Sequence, residues 1–266
     1  MRIAIFGATG MVGRAVVAEA HARGHRIVAL SRNPDRAIAT DRISVRAVDV
    51  GDSDALDPVL AEVDAAVLAV RPRPGDETRL APMTRNLLDG AERQDTRVLI
   101  VGGSAPLRSP DLPGRLVIDD PHRVPAAWRA IARASLEQFD TARMHSHRRW
   151  TYLSPPAVLA PGARSGRYRR GTGTLLTDED GASWISAPDL AIAVVDELEN
   201  AGIDQHFTVA HHGRHGHRVV GGEDDVAALP NGRDLGMAQT AKERDSEPHR
   251  HPLGPTMPFT RPGPTR

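Results

Sequence analysis

Three glycines stand three residues apart in Gly7-Ala8-Thr9-Gly10-Met11-Val12-Gly13, directly after the apolar run Ile3-Ala4-Ile5-Phe6. A strand that turns through such a triplet into a helix makes a cradle for the pyrophosphate of a dinucleotide. Each glycine has its own task. Gly7 allows a tight turn out of the strand. Gly10 lets the phosphates approach the backbone where a Cβ would collide with them. Gly13 lets the helix lie close to the sheet. The helix N-terminus then offers free N–H groups and the positive end of its dipole to the anion. Residues 7–13 are therefore read as a cofactor site, because the triplet sits between a strand pattern and a helix pattern.

Further candidates fall at the ends of later strand patterns. The second strand ends Ser31-Arg32-Asn33-Pro34, with no acid at its tip. An acid there would accept hydrogen bonds from the ribose of NAD and repel the extra phosphate of NADP. Arg32 has a planar fork suited to that phosphate, and Ser31 adds a hydroxyl, so the expected cofactor is NADP (NADPH) rather than NAD. Asp49 could accept the adenine amino group while Val50 covers the ring, although aspartate is also a common turn residue. Ala69 and Val70, followed by Arg71, leave the fourth strand where backbone contacts to a cofactor are expected. Gly102-Gly103-Ser104 ends the fifth strand, which sets Ser104 near the nicotinamide as a catalytic candidate. Pro155, after the sixth strand, is placed to pack on the nicotinamide ring. His122 is a candidate proton donor, though a histidine in such a loop is more often a plain surface residue.

Composition narrows the chemistry. The formal net charge is zero, which points to no nucleic-acid or membrane-surface partner. There is no cysteine, so disulfides, thiol catalysis and thiolate-bound metals are excluded, as suits a cytoplasmic protein. No secretion signal is read at the N-terminus, and no run approaches the ~20 apolar residues of a membrane span. The only lysine is Lys242, so the first 241 residues have no Schiff-base chemistry and no lysine-assisted proton transfer.

The elements that must position these residues alternate. Strands are expected at Arg2–Phe6, Arg26–Ser31, Ile43–Val48, Ala65–Val70, Arg97–Val101, Trp150–Leu153 and His206–Val209. Helical stripes run through Val12, Ala15, Val16 and Ala20, with Gly24 as terminator, and through Leu80, Met83, Leu87, Leu88 and Ala91. Others run through Trp128, Ile131, Ala132, Leu136 and Phe139, and through Leu190, Ala191, Val194, Val195 and Leu198 behind a capping box at Ser186-x-x-Asp189. The class is α/β: a Rossmann-like doubly wound parallel sheet with flanking helices over residues 1–210. Residues 211–266 are rich in Gly, Pro, His and charge and read as a mostly disordered tail. Glycines between the histidines of 211–217 leave no fixed geometry, so no metal site is assigned.

These motifs resemble those of the atypical short-chain dehydrogenase/reductases, in particular an NAD(P)H-binding group similar to NmrA-like proteins and to flavin/biliverdin reductase B. The resemblance spans Met1 to about Ala210. It is carried by Gly7–Gly13, Ser31–Pro34, Asp49-Val50, Val101–Ser104, Pro125–Arg129, Tyr152–Pro156, Gly166–Arg169 and Val195–Glu199. Typical members of that superfamily pair a tyrosine with a lysine four residues on. Here the only tyrosines, Tyr152 and Tyr168, are followed at that spacing by Pro156 and Thr172. The resemblance therefore implies an NADPH-dependent oxidoreductase that passes a hydride to a small conjugated acceptor, flavin- or quinone-like, without a Tyr-x-x-x-Lys pair. The alternative is a non-catalytic NADP(H)-binding redox sensor that reports to a protein partner.

Overall fold

The computed structural model describes residues 1–213. The chain runs β1 (Arg2–Phe6), α1 (Met11–Ala22), β2 (Arg26–Ser31), β3 (Ile43–Ala47), α2 (Asp57–Leu60), β4 (Ala65–Leu68) and α3 (Leu80–Gln94). It continues through β5 (Arg97–Val101), α4 (Arg129–Met144), β6 (Trp150–Ser154), β7 (Val158–Ala160), β8 (Tyr168–Gly171), β9 (Trp184–Ser186), α5 (Ala187–Glu199) and β10 (His206–His211). Eight strands form one sheet in the order β3-β2-β1-β4-β5-β6-β10-β8. All neighbours are parallel except β10 and β8. This is the expected Rossmann-like α/β class, with the strand order reversing direction between β1 and β4.

Period two explains the apolar runs. Ile3, Ile5, Ala65, Val67, Leu99 and Val101 point to one face and join a core with Val16 and Ala20 of α1 and Leu190, Val194 and Leu198 of α5. Ala4, Phe6, Ala66, Leu68, Val98 and Ile100 point to the other and pack with Leu87 and Leu88 of α3 and Ala142 of α4. A strand covered on both faces has no polar side to show, so it reads as continuous apolar sequence. Gly24 ends α1 as expected. It holds φ +82°, and its N–H and that of His25 bond the carbonyls of His21 and Ala20.

Three features differ from the sequence reading. The sheet is not wholly parallel, because β8 adds an antiparallel edge, and β7 and β9 form a separate parallel pair. The β4 strand stops at Leu68, two residues early, because its neighbour β1 has already turned into the glycine loop. Only half of the capping box forms. The Ser186 hydroxyl accepts from Asp189 N–H at 3.1 Å, but the buried Asp189 carboxylate does not reach back. It accepts instead from Ser165 N, Ser165 Oγ and Gly166 N at 2.7–3.0 Å, pinning the loop that precedes β8. The expected tail lies outside the described residues beyond Gly213, as do the histidines at 215 and 217, whereas His211 ends β10. Among the described residues no helix is long and apolar enough to cross a membrane.

The β6–β10 seam is expected to make the fold acid-sensitive. His206 packs against Phe139 and Tyr152, with its Nε2 2.9 Å from Ser154 Oγ. Burial pushes its imidazole down to about 4 from the usual 6.5. The unfolded chain therefore binds this proton more readily than the folded one. The group's stabilisation is complete above about pH 6.5 and is lost as pH falls toward 4. At pH 5 the loss is expected to be about 2 kcal/mol. Urea unfolding at pH 7.5 and 5.0 checks this. His206→Asn should narrow the difference between the two pH values, and an unchanged difference would place the acid sensitivity elsewhere.

Candidate functional site

A cavity of about 720 Å³ opens at the carboxyl ends of the parallel strands, where the strand order reverses. One wall is the glycine loop. Gly7 holds φ +81°, and a Cβ there would overlap the Ala69 carbonyl of the β4 exit. A Cβ at Gly13 would overlap the backbone of Gly7 and Ala8, so the close approach that the sequence reading assigned to the sheet is an approach of α1 to the loop itself. Gly10 faces more open space: a Cβ there would have one neighbour, Gly7 O, at 3.3 Å. Gly10 precedes helix α1 as its N-cap, with no side-chain cap and no acid in the first turn. A 12-residue helix of this kind, opening onto a cavity lined by Gly7, Thr9, Gly10, Met11 and Val12, fits an anionic pyrophosphate.

The loop is tied to the end of β2. Thr9 Oγ1 and Ser31 Oγ are 2.9 Å apart, and Ser31 Oγ also meets the Asn33 backbone. The Ser31 hydroxyl, expected to serve a phosphate, is thus engaged in holding the turn that carries Arg32. Arg32 lies exposed at the rim, and no carboxylate is bonded to it among the described residues. Asp49 and Val50 line the same end. Asp49 accepts from Gly51 N–H at 2.9 Å and sits 3.6 Å from Arg79, so it shapes its own turn as well as facing the cavity.

The far wall comes from β5, β6 and α4. Gly102, Gly103, Ser104, Pro155 and Pro156 line it, as do Ile131, Ala132, Ser135 and Gln138. Ser104 is 7% exposed, and its hydroxyl has no hydrogen-bond partner among the described residues. Beneath this wall lies a polar network that sequence reasoning missed. Gly103 N–H donates to Ser135 Oγ at 2.9 Å. Tyr152 OH lies 3.0 Å from Ser135 O and 3.2 Å from Gln138 Oε1. Gln138 Nε2 donates to Thr84 Oγ1, which donates to Leu80 O. Burial pushes the Tyr152 phenol up from its usual 10, so it stays protonated. Gly102 is required here because any Cβ would enter the Tyr152 ring.

Two expectations change. Ala8 is buried beside the loop rather than lining the cavity, and Gly13 acts from behind it. His122 does not line the cavity: it is exposed on the loop before α4, where its backbone N–H donates to Asp120 Oδ1. A proton-donor role for His122 finds no support in this geometry. Neither tyrosine lines the cavity either, because Tyr168 on β8 donates to Asp196 at 2.7 Å.

A family model described as NAD(P)H-binding matches residues 7–201. The uncharacterized protein YwnB of Bacillus subtilis (strain 168) is 33% identical over 202 residues, which cover 75% of this chain and 93% of that protein. A Burkholderia pseudomallei structure described as a candidate exported protein is 37% identical with a TM-score of 0.71, covering 79% of this chain and all of the other. SP1627 of Streptococcus pneumoniae TIGR4, described as a candidate NADH-flavin reductase, is 26% identical with a TM-score of 0.72, covering 80% of this chain and all of the other.

Proposed function

The chain belongs to the NAD(P)H-binding family, and on that premise we propose that it is an NADPH-dependent oxidoreductase acting on a small conjugated acceptor, flavin- or quinone-like. The observation that carries this reading is one cavity with two chemically different walls. An uncapped helix N-terminus and glycine loop stand on one side, and on the other a largely apolar wall with the Ser104 hydroxyl, which has no partner among the described residues. Gly7, Gly10 and the first N–H groups of α1 would hold the pyrophosphate. Arg32 would hold the 2′-phosphate, Asp49 and Val50 the adenine, and Ala69, Val70 and Pro155 the nicotinamide end.

When bound, the reduced nicotinamide supplies the hydride. The protein's part would be to position the two reactants, since among the described residues no tyrosine, lysine or histidine lines the cavity. Ser104 would donate a hydrogen bond to an acceptor oxygen or nitrogen as it gains negative charge. A flavin or quinone spreads that charge over a conjugated ring, so water suffices to deliver the balancing proton. With no cysteine to depend on an oxidising compartment, the cytoplasm is the proposed location.

Following NADPH consumption in the presence of FMN, riboflavin and menadione tests the reading. Steady oxidation is expected with at least one of them. Ser104→Ala should lower kcat/KM about tenfold, the worth of one hydrogen bond in a dry site, with the Kd for NADPH unchanged. Tight NADPH binding with no turnover across the three acceptors would overturn it in favour of a redox-sensing module.

A further inference from the structure

Arg71 stands at the cavity mouth, three residues beyond the end of β4. Its guanidinium carbon lies 5.5 Å from the ring centroid of Trp128, in the turn before α4. Trp128 packs on a cluster that includes Val124, Ala132 and Ala157, whereas Met11 and Val12 of the glycine-loop wall pack against a different core, the one shared by α1 and α5. Arg71 is thus held against the acceptor wall and not against the pyrophosphate cradle.

Its charge has no carboxylate counterpart among the described residues. Other arginines of the chain are paired with carboxylates, as Arg79 is with Asp49, Arg93 with Asp57 and Arg123 with Asp111. No carboxylate is bonded to Arg71 among the described residues. Glu77, which lines the cavity with Asp49, accepts from Gly75 N–H at 2.8 Å. Solvent still reaches Arg71, yet the surrounding walls desolvate it enough to lower its pKa. A partly dry guanidinium with one face on an indole keeps its N–H edge free for a planar or tetrahedral anion. Arg73 lines the same mouth and adds a second positive charge.

We propose that Arg71, held by Trp128, is the anion site for the acceptor, selecting conjugated acceptors that carry a carboxylate or phosphate over neutral ones with the same ring system. This rests on the reductase reading above, because it needs the acceptor to share the cavity with the cofactor.

FMN and riboflavin share one ring system and differ by one phosphate. Each is titrated calorimetrically into the protein saturated with NADP⁺, a complex that needs no turnover. FMN is expected to bind about tenfold more tightly than riboflavin, as one charge-assisted contact would give. Arg71→Gln should erase the ratio by weakening FMN alone. Arg71→Lys should keep part of it, and Trp128→Leu should reduce it. Equal affinities in the unaltered protein, binding of neither flavin, or a ratio that survives Arg71→Gln would each overturn the proposal. So would Arg71→Gln weakening NADP⁺ as much as FMN, since Arg71 would then serve the cofactor. NADPH oxidation measured on the same samples separates the two readings. An FMN preference without turnover keeps the anion site and sinks the reductase. Turnover with equal flavin affinities does the reverse.

Discussion

Gly13→Ala is expected to weaken NADPH binding about 100-fold and to lower the melting temperature, although alanine is the better helix former. Two effects oppose each other. Replacing a helical glycine by alanine contributes up to about 1 kcal/mol of stability in an open site. Here the new methyl would fall on the Gly7 carbonyl and within 2.9 Å of Ala8 Cα, and both obstacles are backbone. Backbone that is itself held by Gly7 N–H to Leu30 O and Gly10 N–H to Gly7 O has little room to yield. The helix must therefore back away from the loop, an overpacking effect of about 1–3 kcal/mol that outweighs the propensity gain. At about 2–4 °C per kcal/mol for a domain of this size, the net fall in melting temperature is a few degrees. The binding loss is larger because a shift of about 1 Å in the cradle misplaces every N–H aimed at the pyrophosphate. Gly90→Ala in α3 is the control. Its closest obstacle is the Leu60 Cδ1 methyl at 2.9 Å, the end of a side chain that can rotate. It should leave NADPH affinity unchanged. If Gly13→Ala also binds NADPH normally by calorimetry, the close approach of α1 has nothing to do with the cofactor.

The glycine loop was legible because its information is local: strand, triplet and helix follow one another within 13 residues. The bounds of β1, β2 and β5 were legible for a related reason. Two-sided burial leaves an unbroken apolar run whose ends are marked by charge or glycine. The short strands β7, β8 and β9 offered no such signal. Tyr-Arg-Arg-Gly has no apolar face, and its pairing with β10 depends on a partner far along the chain. The Asp189 carboxylate shows the same limit. The serine of the capping box was readable because its partner is three residues away, but the acid was drawn off by Ser165 and Gly166 from a distant loop.

The site divides along the same line. Residues at the carboxyl ends of parallel strands were brought together because sheet topology forces those ends onto one rim. Ser135, Gln138, Thr84 and Tyr152 were missed because α3, α4 and β6 meet only in the folded chain, and each residue alone looks like an ordinary helix or strand position. The pairing of Arg71 with Trp128 is equally invisible before folding. His122 lies outside the cavity for the opposite reason. It is close in sequence to α4, whose residues line the cavity, but its loop turns outward around Asp120, which accepts from Ser109 Oγ as well as from His122 N–H.

Arg32→Glu is expected to raise the Kd for NADPH about 100-fold while leaving NADH within a few-fold, or slightly tighter. The reasoning starts from position. Ser31 closes β2 and is fastened to Thr9 of the glycine loop, so the residue after it is held at the rim of the adenine end instead of drifting with solvent. Among the described residues no carboxylate is bonded to Arg32, so binding a phosphate breaks no ion pair there. A charge-assisted contact contributes roughly 1.5–3 kcal/mol, and reversing the charge replaces attraction by repulsion, which together give about two orders of magnitude. NADH has no 2′-phosphate, and a glutamate at this position can accept from its ribose hydroxyl. Arg32→Gln separates the two parts: it should lose the attraction without adding repulsion and fall between the parent and the glutamate variant. The NADPH affinity of the parent should also weaken with added salt more steeply than that of Arg32→Gln, since the rim is open to counterions. Calorimetric titrations with both nucleotides decide the matter. Equal weakening of NADPH and NADH would mean that the substitution damages the turn instead of a phosphate contact. No change in either would leave the missing acid at the β2 tip without a role in choosing the cofactor.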